Sequence, residues 1–116
     1  MRIIMDSISK SEIDKNWSNI LKSYRVKSNL TQEQLAEKIG ISVKYISRIE
    51  TAKSGIKTQT LIKYINTLGI TPNAIYKTFV DNPDVQLSIK VSEQIDDLSN
   101  DKKEFLLSVI EELKKI

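Results

Sequence analysis

The chain has 116 residues and carries 18 Lys and Arg against 15 Asp and Glu, a net charge of +3 at neutral pH, a size that suits one domain or one small domain with an extension. With no cysteine and no histidine it excludes disulfides, thiol nucleophiles, the commonest general base and the commonest metal ligand, and an intracellular, cytoplasmic setting is expected. No apolar run approaches the roughly 20 residues of a membrane span, the opening five residues are too short for a signal peptide, and no acidic cluster has metal-loop spacing, so neither a membrane partner nor a metal or other cofactor is implied.

Residues 1–10 show no clear pattern and read as a flexible N-terminal arm. The first helix opens at Ser9 followed by Glu12, or at Ser11 followed by Asp14. Its apolar stripe is Ile13, Trp17, Ile20, Leu21 and Tyr24, at helical spacing. Trp17 shares that stripe, which makes it a core anchor rather than a stacking platform. Ser28 and Asn29 break the pattern.

The stretch from Leu30 to Glu50 carries the most information. Thr31 caps a second helix, and Gln34 three residues on completes a capping box, with Leu30 placed as a staple. Leu35, Ala36 and Ile39 fall on one face. Gly40 ends the helix because the following position wants a left-handed backbone. Ile41 plugs the turn, and Ser42 caps a third helix whose buried side is Ile46 and Ile49. Val43, Lys44, Ser47 and Arg48 are left outside. An ordinary helical hairpin would explain the apolar spacing. It would not explain why two caps, a small residue and a glycine fall together at these offsets. The layout suits a reading helix set in the DNA major groove.

Thr51 to Lys57 reads as a polar loop. A fourth helix runs from about Thr58 to Leu68, with Leu61, Ile62, Ile65 and Leu68 inward and Gly69 as its stop. Thr71 and Pro72 supply a cap and a first-turn proline for a fifth helix carrying Ile75, Tyr76 and Phe79. Asp81 to Asp84 is a turn and the expected domain boundary. After it, Val85, Leu87, Ile89 and Val91 alternate as in a strand, whereas Leu87, Val91, Ile95 and Leu98 fit a helical face. The helix is the better reading, because a lone strand has no partner. Ser99 caps a last helix with a wide apolar stripe of Phe105, Leu106, Val109, Ile110, Leu113 and Ile116.

The charge is uneven along the chain. Residues 1–60 hold 11 Lys and Arg against 6 Asp and Glu, and residues 61–116 hold 7 against 9. The basic half is the half with the helical hairpin, as expected of a phosphate binder. No nucleophile–base pairing or glycine-rich phosphate loop is visible, so an enzyme is not expected.

Residues 20–76 closely resemble the Cro and phage-repressor-like helix-turn-helix family, also called the XRE family. The resemblance rests on Arg25, then T-Q-x-x-L-A from Thr31, the turn G-x-S from Gly40, I-S-R-I-E ending at Glu50, and L-G-I-T-P from Leu68. It implies an all-α fold, with a five-helix lambda-repressor-like DNA-binding domain over residues 11–80 and a C-terminal helical extension over residues 81–116. It also implies a salt bridge between Arg25 and Glu50. Ser42, Val43, Lys44, Ser47 and Arg48 would face base edges, and Gln32 would meet a phosphate. Tyr45 would bond a phosphate beside the groove or be partly buried, and Lys53 and Lys57 are further phosphate candidates. Ala52 stands where the family usually has glycine, and Ile56 where it usually has proline. Alanine resists a left-handed backbone, so the loop is expected to take another path.

The function implied is a sequence-specific transcriptional regulator, a repressor, binding double-stranded DNA at an operator as a homodimer through residues 42–50. Phe105, Leu106, Val109, Ile110, Leu113 and Ile116 would then form a dimer surface, unless that helix folds back on its own chain. The alternative is an antitoxin-like or antirepressor-controlled protein whose last helix binds a protein partner.

Overall fold

The computed structural model describes residues 8–116. These divide between two compact units that part between Phe79 and Val80. The regular elements among the described residues are all helices, with no strand. Among them no helix is long and apolar enough to cross a membrane. Of the arm expected over residues 1–10, residues 1–7 lie outside the described residues. Ser9 and Lys10 belong to the first helix, as its cap and its first residue.

The first unit holds five α-helices: α1 (Lys10–Lys27), α2 (Gln32–Ile39), α3 (Val43–Glu50), α4 (Thr58–Leu68) and α5 (Pro72–Tyr76). A 3-10 turn, Lys77–Phe79, follows α5. The helix ends are set by local chemistry. The Ser9 hydroxyl accepts from the Glu12 N–H at 3.1 Å. At Thr31 both halves of the capping box form: its hydroxyl accepts from the Gln34 N–H at 3.0 Å, and the Gln34 side chain accepts from the Thr31 N–H at 2.8 Å. Gly40 and Gly69 close α2 and α4 at φ +70° and +67°, where a Cβ would be strained. Thr71 caps α5 ahead of Pro72.

The core gathers one side of every helix in this unit. Leu21, Leu35, Ala36, Ile39, Ile46, Ile49, Leu61, Tyr64, Ile70 and Ile75 are buried together. Helix α1 packs on α3, α4 and α5, and α2 packs on α3 and α4. Trp17 lies at the edge of this core and ties α1 to α5. Its indole N–H donates to the Ile75 carbonyl at 2.9 Å, and its ring meets Tyr76 edge-on at 5.6 Å.

Two expectations about facing are corrected. On α4, Ile62 is 50% exposed and Tyr64 is fully buried. The helix presents the arc of Leu61 and Tyr64 to α1 and α2, which rotates Ile62 outward. In the second unit, residues 85–91 are helical, within α6 (Pro83–Ile95), capped by Asn82 with Pro83 in its first turn. Its buried side chain is Ile89, whereas Leu87 and Val91 are exposed. The apolar alternation over 85–91 puts side chains on every side of a helix, so periodicity alone does not select the inner one. Helix α7 (Asn100–Leu113) is capped by Ser99 and has no buried residue.

Candidate nucleic-acid interface

Helices α2 and α3 are joined by Gly40, Ile41 and Ser42. The left-handed turn at Gly40 lets the N–H groups of Gly40 and Ile41 both return to the Ala36 carbonyl, at 2.9 and 3.2 Å. Ser42 then starts α3, its hydroxyl accepting from the Tyr45 N–H at 3.1 Å. Helix α3 is divided cleanly. Ile46, Ile49 and Glu50 are buried, Ser42, Val43, Lys44 and Arg48 are exposed, and Ser47 is half-buried. The helix therefore offers solvent a short polar face with two cations and one small apolar contact.

Glu50 is the anchor of the buried side. Arg25 grips its carboxylate with two parallel bonds, Nε to Oε2 at 2.7 Å and Nη2 to Oε1 at 2.9 Å. Arg25 Nη1 donates to the Leu30 carbonyl at 2.6 Å, so one guanidinium also ties down the turn between α1 and α2. The bonds to Glu50 hold the Arg25 pKa above its ordinary value, against the opposing effect of burial. Glu50 Oε1 accepts a further bond, from Gln32 Nε2 at 3.2 Å. Gln32 thus sits at the first turn of α2 with its amide turned toward the ion pair.

Tyr64 is buried in the same region. Burial pushes its hydroxyl well above the usual tyrosine pKa; the Glu50 charge adds to the rise and the Arg25 charge opposes it. The hydroxyl has no hydrogen-bond partner among the described residues. Sequence position did not single out Tyr64, because Ile62 is the more apolar choice for the inner face of α4, yet Tyr64 is the one that is buried.

The loop after α3 corrects a further expectation. Ala52 does take the left-handed backbone, at φ +58°. The turn is held closed by the Ala52 N–H on the Ile49 carbonyl at 3.1 Å, and by the N–H groups of Lys53 and Ser54 on the Arg48 carbonyl at 2.9 and 3.2 Å. These bonds outweigh the steric cost of the methyl group, about 1–2 kcal/mol for a residue in this conformation. Ala52→Gly removes that cost but frees the unfolded chain further, for a net gain of about 0.5–1 kcal/mol. Thermal denaturation should show a rise of a few degrees; a fall would mean that packing of the Ala52 methyl outweighs the strain.

The remaining site residues are distributed around this frame. Tyr45 is half-buried, its hydroxyl accepting from the Lys57 N–H at 3.1 Å and lying 3.5 Å from the Gly55 carbonyl, so it braces the loop. Lys53 and Lys57 are exposed. Arg48 lies back on the loop, bonded to Ser54 and to the Lys53 carbonyl. Ser54 is a partner that sequence position did not reveal, because the contact depends on the path of the loop at Ala52. Of the last stripe, Phe105, Val109, Leu113 and Ile116 are exposed, whereas Leu106 and Ile110 are half-buried. Leu107 is a further exposed apolar side chain of α7.

Two helices across a tight turn, the second buried on one side and polar on the other, make a helix-turn-helix, an arrangement that DNA-binding domains set in the major groove. Residues 21–75 match the family model described as helix-turn-helix, over just under half of the chain. Among curated proteins, no sequence matches the chain. A solved structure titled SinR protein/SinI protein complex contains a similar chain, 19% identical, with a TM-score of 0.48 over 86% of this chain and 99% of that one.

Proposed function

We propose that this protein is a cytoplasmic transcriptional repressor that reads an operator as a homodimer, with α3 in the major groove. The observation that carries the reading is the two-sided character of α3. Its inner side is locked by Ile46, Ile49 and the Arg25–Glu50 pair, while Val43, Lys44 and Arg48 stand exposed on the other. A reading helix needs this rigidity behind and this chemistry in front. Arg48 offers paired donors to guanine, Lys44 a cation for guanine or phosphate, and Val43 an apolar contact for a thymine methyl. Ser42 and Ser47 complete the base-facing set. Gln32, Tyr45, Lys53 and Lys57 would lie along the phosphates on either side, in the basic half of the chain.

One short helix spans only a few base pairs, so a dimer reading two half-sites about 34 Å apart is required for specificity. The exposed apolar residues of α7, with Phe105 at 71% and Leu113 at 63%, support a surface that pairs with a second copy. The same exposure supports the second reading, in which α7 binds a different protein and the DNA-binding domain serves as its platform.

Selection from a random-sequence DNA library, with salt titration, tests the proposal for the wild type and Arg48→Ala. The wild type should enrich an inverted repeat, and Arg48→Ala should lose discrimination at one position in each half-site by about 5-fold to 100-fold. Enrichment of single half-sites would favour the second reading. Weak binding that depends steeply on salt, with no enriched sequence, would sink base reading altogether.

A further inference from the structure

The loop after α3 holds one edge of the Arg48 guanidinium. Arg48 Nε donates to the Ser54 hydroxyl at 2.8 Å, and Nη2 donates to the Lys53 carbonyl at 3.2 Å. The main chain closes the same knot, because the Lys53 and Ser54 N–H groups both return to the Arg48 carbonyl. Side chain and backbone of Arg48 are therefore fastened to the same two loop residues.

A guanidinium carries five N–H donors in a rigid planar fork. Nε and the near hydrogen of Nη2 make one edge, and this is the edge the loop occupies. Nη1 and the far hydrogen of Nη2 make the end of the fork, with two parallel donors. That end has the spacing that guanine O6 and N7 accept. A long, exposed arginine would ordinarily lose much rotational freedom on binding, and fixing it beforehand removes part of that cost.

We infer that Ser54 is a positioning residue for base reading: its hydroxyl holds Arg48 so that the free end of the guanidinium meets a guanine. Ser54 itself touches no base. The inference rests on the reading of α3 proposed above, and the two fail differently.

The test uses the full chain and two duplexes, the selected operator and one with the Arg48-dependent G·C pair changed to A·T. Binding is measured for the wild type, Ser54→Ala, Ser54→Thr, Arg48→Ala and the Ser54→Ala, Arg48→Ala double variant. Ser54→Ala should cut the preference for G·C by about fivefold, the worth of one hydrogen bond. Its affinity for non-specific DNA should stay unchanged at temperatures where both proteins are fully folded. Ser54→Thr keeps a hydroxyl and should keep the preference, and Ser54→Ala should add nothing once Arg48 is gone. An unchanged preference in Ser54→Ala, or an equal loss on both duplexes, overturns the inference. If Arg48→Ala itself alters no base preference, the reading of α3 falls and the role of Ser54 with it.

Discussion

Glu50→Gln should lower the melting temperature by more than about 10 °C and weaken DNA binding at temperatures where the wild type is fully folded. The Arg25 and Glu50 side chains are 10% and 1% exposed, and two bonds of 2.7 and 2.9 Å join them. The substitution leaves the Arg25 cation buried without its counter-charge and sets an amide N–H₂ against guanidinium donors. Breaking such a pair from one side costs roughly 3–5 kcal/mol, and in a domain of this size each kcal/mol is worth about 4–8 °C. The pair also fixes the last residue of α3, so DNA affinity should fall with stability. Replacing both partners with apolar residues of similar volume should recover much of the melting temperature, because no charge is then stranded. An unshifted melt for Glu50→Gln would show that the pair contributes nothing to the fold.

A comparable loss is expected at Tyr64, with a contrast that isolates its cause. Tyr64→Ala removes a fully buried ring from the junction of α1, α2 and α4 and should cost about 3–5 kcal/mol. Tyr64→Phe keeps the ring and deletes a buried hydroxyl without a partner among the described residues. It should be neutral or stabilising by up to about 1 kcal/mol. The effect should grow in alkali. An unfolded tyrosine ionises near pH 10.0, while the buried Tyr64 resists ionisation. The wild type therefore keeps its full stability below that pH and loses some as the pH rises above it, a loss that Tyr64→Phe does not share. Urea titrations of the three proteins at neutral and alkaline pH make the comparison. A phenylalanine variant weaker by more than about 1 kcal/mol would mean that the hydroxyl makes a bond of its own.

What could be read from the sequence was what depends on near neighbours. Thr31 with Gln34, Gly40, Ser42, and Thr71 with Pro72 each act within four residues, so their residue types announce the helix ends they make. The stripe on α4 was only partly readable. Leu61, Ile65 and Leu68 share a face on either choice, and hydropathy favours Ile62 over Tyr64 for the next place. Packing against α1 and α2 reverses that choice, and no local pattern encodes it. On α6 the same difficulty hid Ile89 among the apolar residues around it. In the candidate interface, the outer set of α3 followed from helical spacing alone. The bonds of Gln32 to Glu50, and of Arg48 to Ser54, connect segments whose relative placement is tertiary. The second also needed alanine to adopt the backbone it resists.

The ion pair also sets a limit on transplanting the motif. Arg25 lies on α1, 25 positions before Glu50, and the same guanidinium holds the Leu30 carbonyl at the entrance to α2. Helices α2 and α3 have eight residues each, too few to persist alone in water. Residues 30–51 are therefore not a cassette that can be cut out and grafted for a new target sequence. A designer who wishes to move the exposed face of α3 must carry α1 and α4 with it. The practical unit of exchange is the outer face of α3, altered in place on its own scaffold.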